Sequence, residues 1–112
     1  VRGVGQPDDR GELAGVFVPV VTPFRARSEE LDLPAFRANV ERLGRSGIRG
    51  LVVAGTTGEA PFLEHGEKLA LVEAARDALP AERLVLAGAG AESTREVVAL
   101  SAEAARAGAD YV

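Results

Sequence analysis

The sequence predicts an α/β fold in which parallel strands alternate with helices. Three observations carry this expectation. Short aliphatic runs recur at residues 15–21, 50–54 and 84–87; stripes of helical period fill the intervals; and a fourth run opens at Asp110-Tyr111-Val112. Strand starts lie about 35, 34 and 26 residues apart, which suits strand–helix units joined by right-handed crossovers. Periodicity alone leaves a barrel and an open doubly wound sheet equally available.

The first run is nearly continuous in apolar residues, as in a strand buried on both faces. Pro19 interrupts it, and because proline has no N–H for the ladder, the strand is expected to end or bulge there. Asp32 is placed to cap a helix starting near Pro34, whose stripe is Phe36, Val40 and Leu43 and whose stop is Gly47. The second strand, 50–54, runs into Gly55-Thr56-Thr57-Gly58-Glu59. A second helix follows from about His65 to Leu79, with Leu69, Val72 and Leu79 inward and Pro80 as its stop. After the strand 84–87 comes the small-residue turn Gly88-Ala89-Gly90-Ala91. Ser93 or Thr94 starts the third helix, with Val97, Leu100 and Ala104 inward and Gly108 as its stop. Residues 1–13 lack an apolar core and read as a flexible tail, leaving 14–112 as the folded unit.

Composition excludes several function classes. With 13 basic against 17 acidic residues, the net charge of −4 argues against nucleic acid, which requires clustered cations. No apolar stretch reaches the roughly 20 residues of a membrane span, and no secretory signal pattern is present, so a cytoplasmic location is expected. The absence of cysteine removes disulfides, thiolate zinc and iron–sulfur clusters. The one histidine, His65, makes an all-protein zinc site implausible and is read as an exposed or capping residue.

Thr56 and Thr57 are the leading candidates for chemistry. Two hydroxyls and two successive N–H groups between glycines can hold a carboxylate and pass a proton, although a tight turn satisfying its own backbone has the same composition. It is not a P-loop: only two residues separate Gly55 from Gly58, and no lysine follows. Gly88-Ala89-Gly90 resembles the start of a dinucleotide fingerprint, but Ser93 stands at the third glycine position. Asp110, the acid 20 residues after Gly90, precedes its strand instead of following one. Lys68, the single lysine, is read as a solvated residue in i, i+4 spacing with Glu64.

Three blocks resemble the dihydrodipicolinate synthase / N-acetylneuraminate lyase family of pyruvate-dependent class I aldolases. They are Val20-Val21-Thr22-Pro23-Phe24, the stretch from Gly50 to Glu59, and the stretch from Ala87 through Glu92-Ser93-Thr94 to Asp110. The resemblance covers residues 15–112. It implies the N-terminal part of a (β/α)8 TIM barrel, about three and a half βα units. It also implies that Thr57 helps bind the carboxylate of pyruvate or another 2-oxo acid, that Thr56 joins a proton relay with two tyrosines, and that Pro19 lines the base of the site. The implied reaction forms a Schiff base with pyruvate and adds the enamine to an aldehyde, or runs in reverse, without metal or organic cofactor.

In the family the Schiff-base lysine lies on the sixth strand, beyond Val112, with the relay tyrosines and an arginine for the second substrate. Tyr111 is not one of those tyrosines. The isolated chain is therefore expected to be inactive, and its two open sheet edges to promote association. Full-length members are expected to be homo-oligomers. Ala60-Pro61-Phe62-Leu63 and the run from Ala91 to Thr94 resemble the 4-hydroxy-2-oxoglutarate aldolase branch, whereas Gly-Thr-Thr-Gly-Glu is more typical of dihydrodipicolinate synthases. The rival expectation is a small flavodoxin-like module that holds an anion in the threonine loop.

Overall fold

The computed structural model describes residues 11–112. Most of the expected tail, residues 1–13, lies outside the described residues; at its end, the Glu12 carbonyl accepts a 2.6 Å hydrogen bond from Arg49 Nε. The described elements alternate as expected: β1 (Phe17–Pro19), α1 (Leu33–Gly44), β2 (Gly50–Val53), α2 (His65–Ala78), β3 (Leu84–Ala87) and α3 (Thr94–Ala107). A single 3-10 turn, Ala60–Phe62, precedes α2. The fourth run makes a parallel bridge from Tyr111 to Leu86.

The strands pair in parallel in the order β1-β2-β3. Sequential order, with α1 packed on α2 and α2 on α3, is the winding of a barrel wall. A flavodoxin-like sheet places its first strand between the second and third. Pairing sets Val18, Leu51 and Val85 in one row and Pro19, Val52 and Leu86 in the next. The row of Leu51 and Val85 faces the helices, where both are fully buried beside Phe36, Val40, Leu71, Val72 and Ala75. Each such side chain contributes about 1.5–3 kcal/mol by leaving water. Val52 and Leu86 point the other way and stay partly exposed.

Local sequence explains the boundaries. Pro19 ends β1, and one last ladder bond runs from Val20 N to Val52 O at 3.0 Å. The Asp32 carboxylate caps α1 by accepting from Ala35 N at 3.0 Å. Helix α1 stops at Gly44, three residues short of the expected Gly47, and this last residue packs closely against the segment after α2: a Cβ on Gly44 would sit 2.9 Å from Pro80 Cδ. The expected stripe is completed by Leu71, Ala74 and Ala75, while Leu43, Leu69 and Val97 are only partly buried. Ser93 Oγ caps α3 through Glu96 N at 3.2 Å, and Gly108 ends it at φ 110°.

One polar network fastens α2 to β3 and the fourth run. Arg76 Nη1 donates to Asp110 Oδ2 at 3.1 Å and to Arg83 O at 3.1 Å, and Nη2 donates to Pro80 O at 2.9 Å. The same Asp110 oxygen accepts from Val85 N at 2.9 Å. Asp110→Ala therefore strips a partly buried cation and a strand N–H of one shared acceptor, and is expected to cost about 1–3 kcal/mol. Asp77→Ala, which breaks the exposed pair with Arg37, is expected to cost about 0–1 kcal/mol. Urea denaturation of the two variants checks the difference, and equal losses would contradict the network's importance.

Candidate active site

Residues 54–59 form the exit from β2 at its carboxyl end. Ala54 is buried and has φ 53°, in the left-handed region that costs an alanine about 1–3 kcal/mol. Gly55 O then accepts from Gly58 N at 3.1 Å and from Ala60 N at 3.2 Å. The first of these bonds closes a four-residue turn with Thr56 and Thr57 as its central residues. Glu59 N donates to Thr56 O at 3.0 Å. The N–H groups of Thr56 and Thr57 make no hydrogen bond within the described residues, and both residues are exposed. The turn thus satisfies the carbonyls of Gly55 and Thr56 while leaving two adjacent donors and two hydroxyls at the surface.

A cavity of about 330 Å³ opens beside this turn, between the ends of β2 and β3. Ala54, Gly55 and Thr56 line one side, and Gly88, Gly90 and Glu92 line the other. The structure brings Thr56 into this cavity. Thr57 is not part of its lining. Pro19 shares its pairing row with Val52 and borders a separate groove of about 180 Å³ with Val21, Asn39 and Arg42. A third cavity of about 290 Å³ adjoins the first through Pro61, Gly90 and Glu92, and has His65 and Lys68 on its wall. Among the described residues, no group of three or more His, Cys, Asp or Glu side chains is placed to hold a metal ion. Among the described residues, no helix is long and apolar enough to cross a membrane.

The other singled-out residues have structural work. His65 is the exposed first residue of α2 and pairs with Glu103 of α3. Lys68 is partly buried and makes no ion pair with Glu64, whose backbone N–H instead donates to the Glu67 carboxylate at 2.8 Å. Asp110, considered above as a ribose acceptor, is occupied by Arg76 and Val85. Gly88 has a steric reason to be glycine: a Cβ there would lie 2.1 Å from Ala54 O.

Sequence reasoning overlooked two residues that shape the turn. Thr22 is buried, and its hydroxyl donates to Gly58 O at 2.7 Å. Ala54 carries the backbone reversal that points the loop away from the strand. A polar residue directly after a buried strand hinted at Thr22; nothing in an alanine hinted at φ 53°.

Parallel strands in sequential order, with helices packed along one face and a cleft at their carboxyl ends, define the class: part of the wall of a (β/α)8 barrel. The sequence profile of the dihydrodipicolinate synthetase family matches residues 12–112, and the chain belongs to that family. It is 46% identical over 95 residues to a 4-hydroxy-tetrahydrodipicolinate synthase of a Synechococcus strain, covering 85% of this chain and 31% of that protein. It is 39% identical over 108 residues to an Emericella nidulans mitochondrial protein assigned as a 4-hydroxy-2-oxoglutarate aldolase, covering 93% of this chain and 35% of the other. The crystal structure of dihydrodipicolinate synthase from Aquifex aeolicus superposes with a TM-score of 0.80 at 35% identity, over 87% of this chain and 32% of that one. The chain therefore forms the N-terminal part of a TIM barrel and spans about a third of the length of the relatives it matches. The flavodoxin-like alternative is set aside by strand order and by family alike.

Gly88→Ala is expected to lower stability by about 1–3 kcal/mol, since Ala54 O must move to admit the methyl group. Gly90→Ala, with nothing within 4 Å of the added carbon, is expected to stay within about 0.5 kcal/mol. Thermal denaturation of the pair distinguishes a steric requirement at Gly88 from a general tolerance of alanine in this segment.

Proposed function

We propose that these residues are the 2-oxo acid carboxylate-binding part of a Schiff-base, pyruvate-dependent aldolase. The observation that carries the reading is the turn at 55–58, which holds Thr56 and Thr57 at a strand carboxyl end with their N–H groups unbonded. A carboxylate meeting two N–H groups and a hydroxyl gains charge-assisted hydrogen bonds, each worth about 1.5–3 kcal/mol. Thr57 holds the carboxylate, and Thr56, on the cavity wall, passes protons. Family membership supplies the reaction class.

The chemistry in the whole protein runs through a lysine amine adding to the ketone of pyruvate with loss of water. The protonated imine draws electrons from the adjacent methyl carbon, which loses a proton to become an enamine. That carbon bonds to an aldehyde, the aldehyde oxygen takes up a proton, and water releases the product from the lysine. Lys68 does not suit the nucleophile's role, because it sits on α2 beside His65 and outside the Thr56 cavity. The 112-residue segment alone is accordingly expected to turn over no pyruvate.

The second substrate is proposed to be an aldehyde, and the first reading of the reaction is that of a 4-hydroxy-tetrahydrodipicolinate synthase, on the strength of relatives such as the Synechococcus protein. A second reading, cleavage or formation of 4-hydroxy-2-oxoglutarate, is favoured by Ala60-Pro61-Phe62-Leu63 and by the Emericella nidulans relative.

In the protein expressed from its natural gene, Thr57→Val is expected to raise KM for pyruvate about 10-fold to 100-fold, the equivalent of one charged hydrogen bond. Thr56→Val is expected to lower kcat about 100-fold with a smaller change in KM. Steady-state kinetics with varied pyruvate measures both. Wild-type constants in both variants would sink the assignment.

A further inference from the structure

We propose that Thr22 is a positioning residue: its hydroxyl fixes the turn that presents Thr56 and Thr57. The consequence for substrate rests on the aldolase reading above; the mechanical claim does not. Thr22 lies just past β1 and, among the described residues, is the one buried polar side chain, with 6% exposure. Its Oγ1 donates to Gly58 O at 2.7 Å across 36 residues of sequence.

The turn has two ends. Gly55 is held by β2 through Ala54. Gly58 is the fourth residue, and its N–H is spent within the turn on Gly55 O. The remaining bonds of residues 55–59 go to one another or to the adjoining 3-10 turn. Among the described residues, the Thr22 bond is the one hydrogen bond that ties this loop to the segment following β1. The contact is also close-fitting: a Cβ on Gly58 would lie 3.1 Å from Val20 O, 3.3 Å from Ala54 N and 3.3 Å from Thr22 Oγ1.

A branched Cβ restricts the hydroxyl to few directions, so threonine aims its donor at little entropic cost. Without that donor, Gly58 O is left buried against β1 and unpaired, and it gains by rotating toward water. That carbonyl belongs to the Gly58–Glu59 peptide, so its rotation also turns the Glu59 N–H, which donates to Thr56 O at 3.0 Å. The geometry of the two central residues then drifts, although neither has been altered. Thr22 therefore acts on substrate through Gly58 and touches none itself.

The test uses the protein expressed from its natural gene and compares Thr22→Val, Thr22→Ser and Val40→Ala. Valine keeps the shape of threonine and removes the donor; serine keeps the donor; Val40 lies fully buried on α1, away from the loop. Hydrogen exchange of the peptide spanning 54–63 is read without any substrate, and KM and kcat for pyruvate are read in parallel. Thr22→Val is expected to speed exchange in that peptide at least tenfold and to raise KM about tenfold. Thr22→Ser is expected to restore both to within twofold. Val40→Ala is expected to lower Tm while leaving KM and the exchange of 54–63 near wild type. Unchanged exchange in Thr22→Val overturns the tether, whatever the substrate proves to be. Faster exchange with unchanged KM overturns the positioning role. A wild-type protein that ignores pyruvate defeats the aldolase reading, and the exchange result still decides the tether.

Discussion

The close approach of β3 to the end of β2 is the constraint on which the site depends. Ala54 leaves its strand at φ 53°, and its carbonyl lies where a side chain of residue 88 would begin. Gly88 N donates to Val53 O at 2.8 Å, so the two strands stay paired up to the residue before the reversal. The reversal and the absent side chain thus require one another. Together they open the wall between the two strand ends into the cavity that Thr56 lines. A regular strand with a side chain at residue 88 would fill that space.

Around this point the molecule divides its labour by face. Toward the helices, Leu51, Val53 and Val85 are fully buried and carry the core. On the opposite face, Pro19, Val52 and Leu86 form a row left partly or wholly exposed. Stability is thus concentrated on the helical side, with Arg76 and Asp110 fastening α2 to β3 at its entrance. The carboxyl ends carry short turns with few outside ties, which suits the proposed role of residues 55–58 in holding a carboxylate without rebuilding the sheet.

Much of this was legible in the sequence, for physical reasons. The strands read as aliphatic runs because the helix-facing residues are buried and the opposite face also carries the aliphatic side chains of Val52 and Leu86, and Pro19, Asp32, Ser93 and Gly108 marked boundaries because each has a distinct backbone role. The close packing of Gly44 against Pro80 was not legible, since the two lie 36 residues apart in sequence. Nor was the meaning of Gly88, which looked like part of a nucleotide fingerprint but is small to admit a neighbouring carbonyl. Thr56 and Thr57 stood out as candidates because glycines flank them; the buried hydroxyl of Thr22 was missed because a lone threonine after a strand has many ordinary explanations. Composition could not show that Thr56 reaches the cavity while Thr57 stands outside its lining.

The most direct measurement is borohydride reduction of the protein expressed from its natural gene, in the presence of pyruvate, followed by peptide mass spectrometry. The Schiff-base reading predicts one reduced pyruvate on a single lysine other than Lys68, with labelling strongly reduced in Thr57→Val. A protein left unlabelled under conditions of active turnover, or labelled on Lys68, would contradict it.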